Sequence, residues 1–194
     1  MNEINKRDKV KYFDEIQYFS NSPLIWILYI VFFFSILPLG YAVYSQLIKG
    51  KPWGTQPMSN EGLLTTFLII LVLMVGVLFV FLRSRLITYI DNEGLHYRFP
   101  PLVSRDHIID KSEIKDFKIR TYRPILEYGG WGVRINAQKW GRGKKYGIAY
   151  NVKGNIGLQL YLTDGKKILI GTQKPDAIIR GMKKYMQENK EKNE

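Results

Sequence analysis

The stretch LIWILYIVFFFSILPLGYAVYSQLI, residues 24–48, decides the fold class, because it contains no charged side chain. A second stretch, GLLTTFLIILVLMVGVLFVFL at 62–82, is equally free of charge. A helix needs about 20 apolar residues to cross the hydrocarbon core of a bilayer. Two such runs in a chain of 194 residues leave too little other protein to bury them. They therefore predict a transmembrane hairpin over 24–82, with the two helices joined by a loop at 49–61.

Positive charges on either side of the hairpin predict its orientation. Cytoplasmic loops of membrane proteins carry an excess of lysine and arginine close to the spans. The cations flanking this hairpin are Lys6, Arg7, Lys9 and Lys11 before it, and Arg83, Arg85 and Arg98 after it. The loop has only Lys49 and Lys51. We therefore expect both termini to be cytoplasmic and the loop to face outward.

The segment before the first span, 1–23, is predicted to be cytoplasmic and to lie at the membrane interface. Within it, Phe13, Ile16 and Phe19 recur at near-helical spacing, which favours a short interfacial helix. The same segment alternates through Phe13, Glu15, Gln17 and Phe19, a pattern that fits a β-strand equally well.

Charge is distributed very unevenly along the chain. The net charge is +12, and residues 83–194 hold 23 of the 29 cations and 12 of the 17 acids, so their net charge is 23 − 12 = +11. Such a basic segment favours an anionic partner. The chain contains no cysteine, which excludes disulfides, thiolate metal sites and cysteine nucleophiles.

After the second span the apolar period changes to two, which is typical of strands. Asn92-Glu93-Gly94 and Thr163-Asp164-Gly165 are predicted hairpin turns. The segment 175–187 has an amphipathic helical pattern, and a charged tail follows at 188–194. Residues 83–187 are therefore predicted to form about seven antiparallel strands, a sandwich or barrel closed by a C-terminal helix. The whole chain is expected to be a membrane-anchored α+β protein.

This order of elements resembles the bacterial pleckstrin-homology-like (PH-like) domains that follow a two-helix hairpin. The motifs that carry the resemblance are FDEIQYF before the first span, EYGGWGVR at 127–134, AYNVKGN at 149–155 and DGKKILIGTQKP at 164–175. They are similar to an uncharacterised family of small bacterial membrane proteins. The resemblance implies a fold, a topology and a multi-pass location in the bacterial inner membrane. It supplies no catalytic residue, no cofactor and no phosphoinositide motif.

The stretch WGVRINAQKWGRGKKYG, residues 131–147, is basic and aromatic and contains no acid. The side chains predicted to contact anionic lipid or a protein partner are Arg134, Lys139, Trp140, Arg142, Lys144, Lys145 and Lys153. The linker Arg83–Arg85 spans about 10 Å when extended, close to the Debye length of about 8 Å. The near face of the domain is therefore expected to lie within the lipid surface potential.

The basic stretch is compatible with ligands other than lipid to different degrees. The segment 141–147 matches neither a dinucleotide nor a P-loop motif, and a strand, not a helix, is predicted to follow it. Nucleic acid is disfavoured because the chain is expected to be fixed in a membrane. A solvated basic hairpin with no ligand fits the composition as well as lipid contact does.

No catalytic or metal site is predicted. His96 and His107 form only a scattered pair, whereas a metal site needs three or four convergent ligands. Ser104, His107 and Asp110 are close in sequence, but catalytic triads are assembled across a fold. The predicted function is a non-enzymatic binding or scaffold module at the inner face of the bilayer. The alternatives are an enzyme acting on a lipid or envelope precursor and an accessory component of a transport or stress complex. Homo-oligomerisation also stays open.

Overall fold

The computed structural model describes residues 10–134 and 146–187. They form two long helices and two β-sheets, so the protein is a mixed α+β structure. The chain divides into two compact units. One is Ser22–Arg83, and the other combines Met1–Asn21 with Ser84–Glu194. The first unit is thus an insertion in the sequence of the second.

The inserted unit consists of the two predicted apolar helices. Helix α1 (Leu24–Val43) continues into one π-helical turn, Tyr44–Ile48, and helix α2 is Asn60–Arg83. Both are long and apolar enough to cross a membrane, and only 6% of each apolar window is buried. In a water-soluble protein, helices as apolar as these are buried in the core, because exposing their side chains to water is unfavourable.

The N-terminal segment is a strand, so the predicted interfacial helix is wrong. Strand β1 (Lys11–Tyr18) buries Phe13, Glu15 and Gln17 on one face and exposes Asp14, Ile16 and Tyr18 on the other. It pairs antiparallel with the strand that follows the hairpin, with Tyr18 opposite Arg85. The segment is a strand and not a helix because pairing with β2 gives hydrogen-bond partners to the backbone N–H and C=O groups of β1. More than 60 residues separate the two paired strands in sequence.

The first sheet is a four-stranded antiparallel meander in the order β1–β2–β3–β4. Its later strands are β2 (Arg85–Asp91), β3 (Leu95–Phe99) and β4 (Val103–Ile109). The predicted turn at 92–94 joins β2 to β3, which confirms that hairpin. The fully buried side chains Leu86, Ile90, Leu95 and Phe99 form its core face.

The second sheet has five strands in the order β5–β8–β9–β7–β6. The strands are β5 (Ile114–Thr121), β6 (Gly132–Arg134), β7 (Ile148–Asn151), β8 (Ile156–Leu162) and β9 (Lys167–Gly171). A short helix, α3 (Pro124–Tyr128), follows β5. The described residues therefore contain nine strands, and eight of them, β2–β9, lie within 83–187, where about seven were predicted. The all-antiparallel prediction is wrong at one place, because β7 pairs parallel with β9.

The C-terminal helix α4 (Pro175–Gln187) has the predicted amphipathic character. It buries Ile178, Met182 and Tyr185 against β1, β2, β5 and β8. A Cβ atom at Gly181 would lie only 2.9 Å from Cβ of Phe13. The absence of a side chain at Gly181 therefore allows the helix to approach β1 closely.

Buried polar side chains join β1 to the end of β9. Glu15 is 5% exposed, and its carboxylate accepts hydrogen bonds from Thr172 Oγ1 at 2.6 Å and from Gln173 N at 2.8 Å. Gln17 Nε2 donates to the Gly171 carbonyl at 2.7 Å. Buried polar groups need such partners to offset their desolvation. These bonds connect the edge of the first sheet to the second sheet.

Candidate functional site

The predicted basic site is only partly within the described residues. Arg134 and Lys153 are described, whereas Lys139, Trp140, Arg142, Lys144 and Lys145 lie outside the described ranges. Arg134 is half-buried, and its Nη2 donates to the Trp131 carbonyl at 2.8 Å. This contact gives Arg134, the last residue of β6, a local structural role, because it links the end of β6 to the residue just before this strand. The contact of Arg134 with anionic lipid or a protein partner stays a prediction.

Lys153 lines an open cleft of about 200 Å³ together with a second lysine, Lys174. One wall is formed by the C-terminal half of β1 and the residues just after it, and the other by Lys153, Gln173 and Lys174. Gln173 Nε2 donates to the Lys153 carbonyl at 3.0 Å, which holds the β7–β8 turn against the segment after β9. The cleft thus brings together residues that are far apart in sequence.

The electrostatics of the cleft are dominated by its two ammonium groups. Among residues 10–134 and 146–187, neither Lys153 nor Lys174 has an ion-pair or hydrogen-bond partner for its side chain. Glu15 also lines the cleft, but both of its oxygens already accept the hydrogen bonds from Thr172 and Gln173. A negatively charged group in the cleft would therefore meet two ammonium groups and one carboxylate, so attraction to the lysines exceeds repulsion by Glu15.

A separate polar cluster surrounds His96 in the first sheet. His96 is 2% exposed and its Nε2 lies 3.0 Å from Asp91 Oδ1. The same oxygen accepts the backbone N–H groups of Glu93 at 2.8 Å and Gly94 at 3.1 Å. The Tyr89 ring stacks on His96 with a centroid distance of 4.2 Å. Asp91 therefore caps the β2–β3 turn, and the imidazole supports it.

The other nitrogen of His96 faces a second carboxylate. His96 Nδ1 lies 3.6 Å from Asp106 Oδ2, which in turn accepts a hydrogen bond from Tyr89 OH at 2.7 Å. Asp91, Glu93 and His96 each offer a ligand atom within 4.8 Å of the others. A cation held there would compete with the turn-capping bonds to Asp91 Oδ1. The arrangement is that of a structural network, and sequence reasoning missed it because Asp106 approaches from another strand.

Ser104, His107 and Asp110 have separate local partners and do not form a triad. Ser104 Oγ donates to the Pro101 carbonyl at 3.2 Å, and Asp110 Oδ1 accepts from Ser112 N at 2.8 Å. The His107 ring stacks on Tyr97 with centroids 5.2 Å apart. The hydrogen bonds from Ser112 hold the pKa of Asp110 below its usual value. Closeness in sequence therefore did not produce a catalytic arrangement.

Several tyrosines of this domain resist ionisation. Burial, together with the nearby Asp106 carboxylate, raises the pKa of Tyr89 to about 12. Burial raises the pKa of Tyr128 to about 12, and it raises the pKa of Tyr97, 5% exposed, still further. In the unfolded chain a tyrosine titrates near 10. The unfolded state therefore loses these protons first, and the stability they contribute is lost as pH rises above 10.

We expect the free energy of unfolding to fall between pH 10 and pH 12, and the fall to be shallower in Tyr97→Phe, because this variant lacks one late-titrating phenol. Urea unfolding of the full chain in nonionic detergent, followed by pulse proteolysis at a series of pH values, measures the slope. The control is Tyr161→Phe, at a half-buried position. Equal slopes for the wild type and Tyr97→Phe would contradict the expectation.

Comparison with known proteins adds no family assignment. No family model, curated protein or solved structure matches the chain. The resemblance to bacterial PH-like membrane proteins therefore stays a prediction that rests on the quoted motifs and on the order of elements.

Proposed function

We propose that this chain is an integral protein of a bacterial inner membrane that presents a non-enzymatic, PH-like binding or scaffold domain at the cytoplasmic face. The observation that carries the proposal is the exposure of the two long apolar helices, of which only 6% is buried within the protein. Apolar surface of that extent requires a nonaqueous environment, and a bilayer supplies one.

The strand order supports a PH-like domain. A four-stranded antiparallel meander, β1–β4, precedes a second antiparallel set, β5–β8–β9, and an amphipathic C-terminal helix packs on both sheets. Residues 124–155 interrupt the second set and add β6 and β7 beyond β9. The order differs from the one that the resemblance implies in that insertion and in β1, which precedes the helical hairpin although the PH-like domain was predicted to follow it.

Chain connectivity supports a function at the lipid surface. Helix α2 ends at Arg83 and β2 begins at Arg85, so only Ser84 separates them. Two residue steps span about 7 Å at most, which is shorter than the Debye length of about 8 Å at physiological salt. A spanning α2 would therefore hold the start of β2 within the surface potential of the cytoplasmic leaflet. The net positive charge of this part of the chain favours that location.

The His96 cluster favours binding over catalysis. A general base must reach a substrate proton directly or through one water molecule. His96 is only 2% exposed, and its Nε2 is engaged by the carboxylate that caps the turn. The imidazole thus contributes to the fold, and the domain surface is left to engage lipid or a protein partner.

Membrane fractionation and protease accessibility test the proposal. We expect the full chain to stay in the membrane pellet after alkaline carbonate extraction, since its two spans are inserted in the bilayer. We expect protease added to spheroplasts to leave the C-terminal domain intact, and protease added to inside-out vesicles to digest it. Recovery of the chain in the aqueous fraction would overturn membrane insertion, and digestion from outside would overturn the orientation.

A further inference from the structure

We propose that the cleft between β1 and the Lys153–Lys174 wall binds the phosphate of an anionic phospholipid headgroup. The inference rests on the proposed membrane location and names the ligand class and the residues. Lys153 was predicted from sequence as part of a basic site, but its counterpart Lys174 was not. The proposed site is therefore a defined pair of lysines, in place of the broad basic surface that was predicted from sequence.

The two lysines are suited to an anion because neither ammonium group has an ion-pair partner within the described part of the chain, and together they outnumber the one carboxylate of the cleft, Glu15. Their backbones are fixed, since the Lys153 carbonyl accepts from Gln173 Nε2 at 3.0 Å and Lys174 N donates to Thr172 Oγ1 at 3.0 Å. Lysine binds phosphate as a mobile point charge at the end of a flexible chain. A fixed backbone under each lysine therefore limits the freedom that binding must remove.

The size of the cleft selects a small polar group. Its volume of about 200 Å³ lies below the roughly 300–1,000 Å³ that is typical of pockets for whole cofactors and drug-sized ligands. The lining also includes Tyr18 and Asn21, and it includes Gln17 and Gln173, whose Nε2 atoms already donate to the Gly171 and Lys153 carbonyls. A phosphate with a short polar headgroup has the matching size and hydrogen-bonding character, and its acyl chains would stay outside.

The position of Asn21 in the chain favours a lipid over a soluble phosphate. Asn21 lines the cleft, and only Ser22 and Pro23 separate it from Leu24, the first residue of α1. Three residue steps span about 11 Å at most. If α1 enters the bilayer at Leu24, Asn21 cannot lie more than about 11 Å from the point of entry, within reach of the phospholipid phosphates. The local concentration of lipid phosphate there far exceeds that of free phosphate.

The test uses the full chain in nonionic detergent micelles, titrated with short-chain phosphatidylglycerol and followed by native mass spectrometry. We expect Lys153→Gln with Lys174→Gln to weaken phosphatidylglycerol binding about tenfold or more, because each lysine near an anionic lipid contributes on the order of 1 kcal/mol. The matched control is Lys115→Gln with Lys183→Gln, which removes the same charge at two exposed positions. We expect this control to bind like the wild type. Thermal unfolding of each variant verifies that it is folded.

The outcomes separate the possible ligands and the two proposals. If phosphatidylglycerol binding is weakened equally in both double variants, the cleft is not the binding site. The protein would then attract anionic lipid only through its overall positive charge. Inorganic phosphate binding as tightly as phosphatidylglycerol, with the same sensitivity to the cleft variant, would overturn the lipid source. If short-chain phosphatidylcholine binds as tightly as phosphatidylglycerol, the cleft does not select anionic headgroups. The carbonate extraction described above bears on the membrane location alone, so its failure is distinguishable from these results.

Discussion

Gly147→Ala is expected to destabilise the domain that contains the two β-sheets by about 4 kcal/mol or more. Gly147 has φ +82°, and a Cβ atom there would overlap the backbone carbonyl of Lys167. A backbone atom cannot move aside as a flexible side chain can. Gly147 directly precedes β7, and β7 pairs with β9 from Ile148 opposite Ile168 onward. Relieving the overlap would therefore separate the two strands at the start of their parallel pairing.

Gly165→Ala is the matched control for this effect. Gly165 has the same φ of +82°, but nothing lies within 4 Å of its would-be Cβ. Its replacement should cost only the backbone strain of a left-handed residue, about 1–2 kcal/mol. Pulse proteolysis of the full chain in nonionic detergent across a urea series measures both midpoints. If the two variants unfold at the same urea concentration, the close approach at Lys167 contributes nothing to stability.

Asp91→Ala is expected to destabilise the domain by about 3 kcal/mol or more. The substitution leaves three donors without their acceptor: the part-buried backbone N–H of Glu93, the buried backbone N–H of Gly94, and buried His96 Nε2. Asp91 is 2% exposed, so water does not readily replace the lost carboxylate. The same urea series measures the loss.

Asp91→Asn keeps an oxygen in the position that accepts these bonds and removes only the charge. Its destabilisation should be about 1 kcal/mol, because the geometry of the turn cap survives. Glu93→Ala serves as the surface control, since Glu93 is exposed. Equal losses for Asp91→Ala and Asp91→Asn would show that charge, not the turn-capping acceptor, is what Asp91 contributes. If Glu93→Ala loses as much stability as Asp91→Ala, the Asp91 carboxylate is not the group that stabilises the turn.

Elements whose signal is local were predicted well. The two apolar helices begin and end within two residues of their predicted bounds, because hydropathy over about 20 residues is a property of the segment itself. The turn at Thr163–Gly165 joins β8 to β9 as predicted, because its residue types suit the left-handed backbone at Gly165. The face of α4 that carries Ile178, Met182 and Tyr185 is buried, as its period indicates.

Features that need a partner distant in sequence were not predicted. The pattern in β1 fitted a helix or a strand, and only its pairing with β2 settled the choice. The parallel contact of β7 with β9 has no local signal, because a short apolar strand does not specify its neighbour. Asp106 reaches His96 from another strand in the same way.

Apolar segments, alternating segments and turns can be located from the amino-acid sequence, because these properties depend on neighbouring residues alone. The three-dimensional fold was needed to show that the N-terminal strand belongs to the domain beyond the hairpin and that Lys153 and Lys174 line one cleft. The physical reason is that a period specifies the face a segment buries, whereas backbone hydrogen bonding and close packing between distant segments choose what that face meets.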